Sequence, residues 1–248
     1  MSGPGERAAP GPPLARGEAQ REARCRLMAL APNSWDGQWM NRQQILSRLA
    51  AHHDVLYSTG AWSVWDRGSP AFRAAPIAGA FEPRDGVLVD RPPRWLLRWP
   101  TAASYDRAVV ALVQRRWRRQ LARMGTGPVV AYLFHPRYAQ FIARLGANHV
   151  IYQPYDLFRA MPGWTPELAR LEERLLQTCD AVIATSEPTR AALQAQSPRP
   201  VLGEAHGARV PAPRSPAPPR IIGRAPARPP PPRLPSCEAS PPHARRGR

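Results

Sequence analysis

Residues 26–50, RLMALAPNSWDGQWMNRQQILSRLA, decide the fold of this chain. The apolar run at 27–31 predicts a buried strand, and residues 40–49 carry the apolar spacing of a helix, so the polar and aromatic segment between them predicts a turn. Ligands of parallel α/β sheets collect at the carboxyl ends of the strands. We therefore expect a binding cleft to open at Trp35, Asp36 and Gly37.

The residue types in this first turn fit a ligand-binding role. An indole such as that of Trp35 can stack on the face of a sugar, and Gly37 allows the backbone to approach a ligand closely. For Trp35 and its neighbour Trp39 the alternative is plain packing beneath the loop. Both interpretations stay open for these two rings at this point.

Strand and helix signals alternate along the chain until about residue 200. Residues 61–85, with several Pro and Gly, predict an irregular connection. The alternation predicts an α/β fold, a Rossmann-like three-layer domain with a mostly parallel sheet, over residues 25–207. The further strands are predicted at 54–59, 86–90, 129–134, 148–152 and 180–185, and the further helices at 104–124, 138–145, 166–178 and from 186 onward.

The two ends of the chain differ from this body. Residues 1–24 are rich in Gly, Pro, Ala, Arg and Glu without periodicity, and residues 208–248 are mostly Pro, Arg, Ala and Ser. Such compositions bury too little apolar surface to offset the entropy lost on folding. We predict a disordered N-terminal leader and a disordered Pro/Arg-rich C-terminal tail.

Composition also limits the class of function. The chain has 35 basic residues, all of them Arg, against 18 acidic residues, but no nucleic-acid-binding motif accompanies the charge, so no specific nucleic-acid partner is expected. Cys25, Cys179 and Cys237 lie far apart, which argues against a metal site or a disulfide framework. No apolar run approaches the roughly 20 residues that span a bilayer, and no signal-peptide pattern is present. The sequence therefore predicts a cytoplasmic location.

The predicted helix at 104–124 is amphipathic, with apolar residues on one face and arginines on the other. One interpretation is an ordinary surface helix of an α/β domain. The other is a basic face that binds anionic lipid headgroups and holds the protein peripherally at the inner face of the membrane. In the second interpretation the membrane-surface residues are Arg115, Arg116, Arg118, Arg119 and Arg123.

Polar side chains also follow the later predicted strands. His135 follows the strand at 129–134, and Tyr155 and Asp156 follow the strand at 148–152. Ser186 and Glu187 begin the helix after 180–185, and a helix N-terminus can hold an anion or a sugar hydroxyl. These residues are candidates for a cleft, while turn and capping roles without chemistry are the alternatives for His135 and Asp156.

The ordered series of segments resembles the N-terminal, acceptor-side half of a GT-B glycosyltransferase, a class that moves a sugar from a nucleotide-sugar to an acceptor hydroxyl. The turn at 35–42, the segment 150–156 and above all residues 172–187, EERLLQTCDAVIATSE, carry the resemblance, which covers about residues 25–207. It implies one half of a GT-B fold and a sugar or lipid-linked acceptor as the ligand of the cleft candidates.

The chain departs from that family after His206 and Gly207, where Ala208 and Arg209 do not fit. The resemblance implies a following donor-binding domain with paired glutamates, and the tail has no such sequence. We therefore expect a chain truncated or frameshifted near His206, inactive alone, with no catalytic residue and no bound cofactor, a nucleotide-sugar donor being implied for a full-length protein. The alternatives are a genuine tail that docks on another surface, a non-catalytic Rossmann-like binding module, and a basic scaffold at a membrane or polyanion.

Overall fold

The computed structural model describes residues 24–203, in which strands and helices alternate. The predicted leader, apart from Arg24, and the predicted tail lie outside the described residues. The strands are β1 (Arg26–Leu30), β2 (Asp54–Ser58), β3 (Ala80–Arg84), β4 (Val87–Arg91), β5 (Val129–Leu133), β6 (His149–Tyr152), β7 (Ala181–Ala184) and β8 (Val201–Gly203). The α-helices are α1 (Asn41–Leu49), α2 (Pro70–Ala74), α3 (Ala103–Met124), α4 (Pro166–Thr178) and α5 (Glu187–Gln194), and shorter 3-10 helices cover Val64–Gly68, Pro136–Phe141 and Phe158–Ala160.

The strands form one sheet in the order β3-β4-β2-β1-β5-β6-β7-β8. Every neighbouring pair is parallel except β3 and β4, which confirms the predicted α/β fold with a mostly parallel, Rossmann-like sheet. β1 is central, with Leu30 paired to Ser58 of β2 on one side and to Leu133 of β5 on the other. The strand order reverses between β1 and β5, and in open α/β sheets the ligand crevice opens at the carboxyl ends of such a pair.

Side chains from both faces of the central strands are buried, as a three-layer domain requires. Met28 and Leu30 of β1 pack in one cluster with Trp117 of α3, whereas Ala29 packs in the opposite cluster with Leu46 of α1. All five residues of β5 are buried, as its unalternating apolar sequence predicts for a strand covered on both faces.

The prediction of an irregular connection at 61–85 is wrong, because this segment contains α2, a 3-10 helix and the strand β3. β3 and β4 form a hairpin whose two-residue turn is Asp85-Gly86, with φ values of 50° and 80°. An Asp-Gly pair is a strong signal for this kind of turn. Pro83 is tolerated in β3 because β3 is an edge strand, where a missing N–H breaks no interior ladder.

The other helix predictions differ in their outcome. The α-helix predicted at 138–145 is instead the 3-10 helix Pro136–Phe141 and a turn that reaches Gly146, whose φ of 73° favours glycine. The helix predicted at 166–178 matches α4, and Thr165 caps it by accepting a hydrogen bond from the Leu168 amide at 3.2 Å. Within residues 24–203, none of the helices combines the length and the apolar character that crossing a bilayer requires.

Candidate functional site

A cavity of about 540 Å³ opens at the carboxyl ends of β1, β2 and β4. It lies beside the point where the strand order reverses, which is the expected position of a ligand crevice. Small apolar residues of α2 and the segment after it form one wall. The aromatic residues that line it are Trp35, Tyr57 and Trp62, and its charged residues are Glu82, Asp90 and Arg91.

Trp35 supports the first turn from beneath. Only 3% of its surface is exposed, and its indole Nε1 donates a hydrogen bond to Asp85 Oδ2 at 2.9 Å, which ties the turn to the β3–β4 hairpin. Tyr57 and Trp39 contact its ring edge to face, with ring centroids 5.0 and 6.2 Å away. Trp35 thus lines the cavity as part of its frame, and the open ring in this turn belongs to Trp39, which is 50% exposed.

Asp36 belongs to a charged network at the mouth of the cavity. Arg91 Nη2 lies 2.5 Å from Asp36 Oδ2, and Arg91 Nε lies 3.1 Å from Glu82 Oε2. Burial lowers the pKa of Arg91, but the hydrogen bonds to Asp36 and Glu82 outweigh it and raise that pKa above its ordinary value. Gly37 donates its amide to the Ser34 carbonyl at 3.3 Å, and a Cβ at Gly37 would lie 3.3 Å from the same oxygen, so this position tolerates little bulk.

Arg42, which sequence analysis does not place in the cleft, is buried close to it. This second residue of α1 is 3% exposed, and its Nη1 donates to the Met40 thioether at 3.1 Å. Burial raises the pKa values of Tyr57 and Tyr155, and the nearby Arg42 charge lowers both by a smaller amount. The helical pattern gives no signal for this burial, because Arg42 stands in a run of polar residues.

His135 is half-buried directly after β5, as predicted. Its Nδ1 accepts the Arg137 amide at 3.1 Å, and its ring packs on Phe158 with centroids 4.4 Å apart. Burial, and secondly the Arg137 charge, lower the pKa of His135 to about 4. The imidazole is therefore neutral near pH 7, and because Nδ1 is an acceptor, its proton is on Nε2, which can donate to a ligand.

Tyr155 and Asp156 follow β6, on the other side of β5 from β1. Tyr155 is half-buried and contacts Phe158 edge to face at 4.9 Å. The exposed Asp156 accepts the Leu157 amide through Oδ1 at 2.8 Å, which is a turn interaction. Tyr155 thus shares the aromatic cluster of His135, whereas the contact of Asp156 is local.

Ser186 and Glu187 lie farther along the sheet. Ser186 caps α5 by accepting the Thr189 amide at 3.3 Å, and Glu187 forms an ion pair with Arg190 at 2.6 Å. They follow β7, which is three strands from β1, and this spacing amounts to roughly 14 Å. The structure does not bring them to the cavity that Trp35 lines.

The arginines of α3 do not share one environment. Arg115, Arg118, Arg119 and Arg123 are exposed. Arg116 is turned toward the hairpin instead: its Nη1 forms an ion pair with the buried Asp90, its Nη2 donates to the Ala80 carbonyl at 3.0 Å, and its guanidinium lies 4.0 Å from the centroid of the Phe81 ring.

The protein is a Rossmann-like α/β domain with a cavity at the carboxyl edge of its sheet. No family model matches the chain, and no curated protein matches it. Four chains of solved structures match it, and one is described as trehalose-6-phosphate from E. coli bound with UDP-2-fluoro glucose. That match has 13% identity and a TM-score of 0.38, covering 68% of this chain and 42% of the other, so this chain spans less than half the length of that neighbour.

Proposed function

We propose that this chain is the acceptor-side domain of a glycosyltransferase and that a sugar-containing acceptor binds in the cavity at the carboxyl ends of β1, β2 and β4. The observation that carries the proposal is the lining of this cavity, which combines aromatic rings with charged hydrogen-bonding groups. Of the lining rings, Trp62 is the partly exposed one and can cover the apolar face of a sugar, while Glu82 and Arg91 can bond sugar hydroxyls. The sequence resemblance of residues 25–207 supports the same class.

In this proposal the domain positions the acceptor hydroxyl and does not itself activate the donor. Holding a hydroxyl in line with a reacting carbon removes much of the entropy that the step would otherwise lose. His135 does not line this cavity; it is a neighbouring candidate donor through Nε2, since its pKa of about 4 keeps it uncharged near pH 7. A nucleotide-sugar donor would be bound by groups other than the residues that line this cavity.

A cavity-filling variant tests the proposal. Ala71 of α2 lines the cavity, and Ala71→Phe is expected to fill it with little effect on the core, because Ala71 is exposed. We expect saturation-transfer NMR on the whole chain to detect binding of at least one of a series of methyl hexopyranosides, and Ala71→Phe to weaken it about tenfold or more.

The matched control is Ala122→Phe, which adds the same ring at an exposed position of α3. It is expected to bind the methyl hexopyranosides as the unmodified chain does. Absence of saturation transfer for every glycoside, or equal signals from the two variants, would exclude the cavity as a sugar site.

We further propose that α3 contacts an anionic membrane surface and that the protein binds peripherally at the cytoplasmic face of the membrane. The favouring observation is a groove of about 420 Å³ in which the exposed Trp95 and Leu112 lie beside Arg115, Arg119 and Arg123. Trp and Leu enter the headgroup boundary of a bilayer, and arginines near them bind anionic headgroups.

Sedimentation with vesicles of phosphatidylcholine and phosphatidylserine tests this second proposal. Each Arg near such a surface contributes about 1 kcal/mol, so Arg119→Gln with Arg123→Gln is expected to weaken binding about tenfold or more. Arg170→Gln with Arg174→Gln removes the same charge from the exposed face of α4 and is expected to have a much smaller effect. Equal losses in the two double variants would assign any binding to net charge alone.

A further inference from the structure

Arg42 has a buried positive charge without an acidic partner among residues 24–203. It is 97% buried, since 3% of its surface is exposed, and none of the ion pairs in this part of the chain includes it. Its Nε is fully buried and has no hydrogen-bond partner, while the rest of the guanidinium bonds neutral groups, with Nη1 donating to the Met40 thioether and a further hydrogen bond to the Tyr57 side chain. A buried guanidinium is costly unless a countercharge and hydrogen-bond acceptors compensate it.

The groups around Arg42 do not supply that countercharge. The nearby phenols of Tyr57 and Tyr155 are neutral near pH 7, because burial raises the pKa of each above its ordinary value. The Tyr57 hydroxyl is also committed as a donor to the Asn33 carbonyl at 2.6 Å. Among residues 24–203, the groups shown next to Arg42 are therefore aromatic or neutral polar, and none of them forms an ion pair with its guanidinium.

The position of Arg42 is one where ligands bind in this kind of sheet. Tyr57 belongs to β2 and Tyr155 follows β6, so the two phenols flank the central pair β1 and β5, where the strand order reverses. Arg42 is in the first turn of the nine-residue helix α1, and that turn contains no acidic residue. The helix dipole adds positive potential at the same place. Arg42 is not itself a lining residue of the cavity, but its hydrogen-bond partner Tyr57 is.

We propose that Arg42 receives a phosphate group of the ligand, so that the acceptor is a phosphorylated sugar. The planar guanidinium binds phosphate oxygens through two parallel hydrogen bonds, and the free Nε together with one terminal nitrogen offers such a pair. The sugar would then extend past Tyr57 into the cavity. The anion site stands on Arg42 itself, and only the identification of its ligand as the acceptor rests on the proposed function.

The test follows the thermal unfolding midpoint of the full 248-residue chain in inorganic phosphate, against sodium chloride of equal ionic strength. Because a ligand that binds only the native state stabilises it, we expect the midpoint to rise with phosphate concentration. Arg42→Met is expected to abolish the rise. Arg48→Met is the matched control, since it removes the same charge from an exposed position of the same helix and should keep the rise.

Arg42→Met has a second expected effect that a structural role would not produce. Without phosphate its unfolding midpoint should equal or exceed that of the unmodified chain, because an uncompensated buried charge has been removed. A fall of more than about 4 °C would show that Arg42 has a stabilising partner and would overturn the proposal. If Arg42→Met does not fold, Arg42→Lys is used, which keeps the charge, loses the paired geometry and should weaken phosphate binding about tenfold.

Three further probes show whether the phosphate belongs to a sugar or to a nucleotide. They also distinguish failure of the Arg42 site from failure of the sugar cavity. A hexose 6-phosphate should bind more tightly than inorganic phosphate, and a nucleoside diphosphate should not; the reverse order would overturn the assignment to the acceptor. A neutral methyl hexopyranoside reports on the cavity alone. Binding of phosphate without the neutral sugar would leave the Arg42 site standing and overturn the sugar cavity, whereas binding of the neutral sugar without any phosphate effect would overturn the Arg42 site.

Discussion

Replacing Asp90 with alanine is expected to lower the free energy of unfolding by about 3–5 kcal/mol, the usual cost of removing one partner from a buried ion pair. Asp90 is 4% exposed and accepts hydrogen bonds from Ser58 Oγ at 2.8 Å and Trp117 Nε1 at 2.7 Å, besides its ion pair with Arg116. The variant would leave the Ser58 and Trp117 donors without this acceptor and Arg116 without its countercharge. Urea unfolding followed by tryptophan fluorescence and circular dichroism measures the loss.

Asp36→Ala is the control for this prediction. Asp36 also pairs with an arginine, at 2.5 Å from Arg91, but its side chain is 50% exposed. Exposed ion pairs contribute up to about 1 kcal/mol, so the control should stay near that value. If Asp90→Ala lost no more stability than Asp36→Ala, the Asp90 network would not hold β4 to α3 as described.

The second large effect is expected at Glu172 of α4. Glu172 is 2% exposed, and its carboxylate accepts the Tyr152 hydroxyl and Arg159 Nε, each at 2.7 Å. Glu172→Ala should cost about 3 kcal/mol, at the lower end for a buried pair, because the side chain of Arg159 is 33% exposed and can turn to solvent. Urea unfolding measures this change.

A double-mutant cycle identifies the source of the Glu172 effect. Tyr152→Phe removes the buried hydroxyl that Glu172→Ala would leave without an acceptor, so the double variant should lose about 1 kcal/mol less than the sum of the single changes. Glu173→Ala, at an exposed position of the same helix, should change stability by less than about 0.5 kcal/mol. Additive losses in the cycle would show that Glu172 acts through Arg159 and not through Tyr152.

The contacts of Glu172 and Ser186 show what two residues of the segment 172–187 do in the fold. Glu172 ties α4 to β6, and Ser186 caps α5, so both residues serve the fold. A similar sequence in this segment therefore indicates a similar arrangement of helix and strand. It is the residues around the carboxyl ends of β1, β2 and β4 that form a cavity with polar and aromatic lining.

The hairpin β3–β4 shows what the sequence contained and the prediction overlooked. Asp85-Gly86 signals a two-residue turn, yet Pro83 and the surrounding glycines favoured an irregular segment. The error matters for the site, because Glu82 of β3 and Arg91 of β4 line the cavity and Asp85 anchors Trp35. Only the pairing of the two strands brings these side chains to the first turn.

The sequence by itself determined the alternation of strands and helices, the central apolar strands and the position of the first turn, because these follow from periodicity and local chemistry within each segment. The tertiary structure decided the rest. Arg42 is buried close to Tyr57 of β2 and to Tyr155, which follows β6. Arg116 is turned from the basic face of α3 to Asp90 and the hairpin. Burial and charge pairing depend on neighbours distant in the chain, which no local pattern encodes.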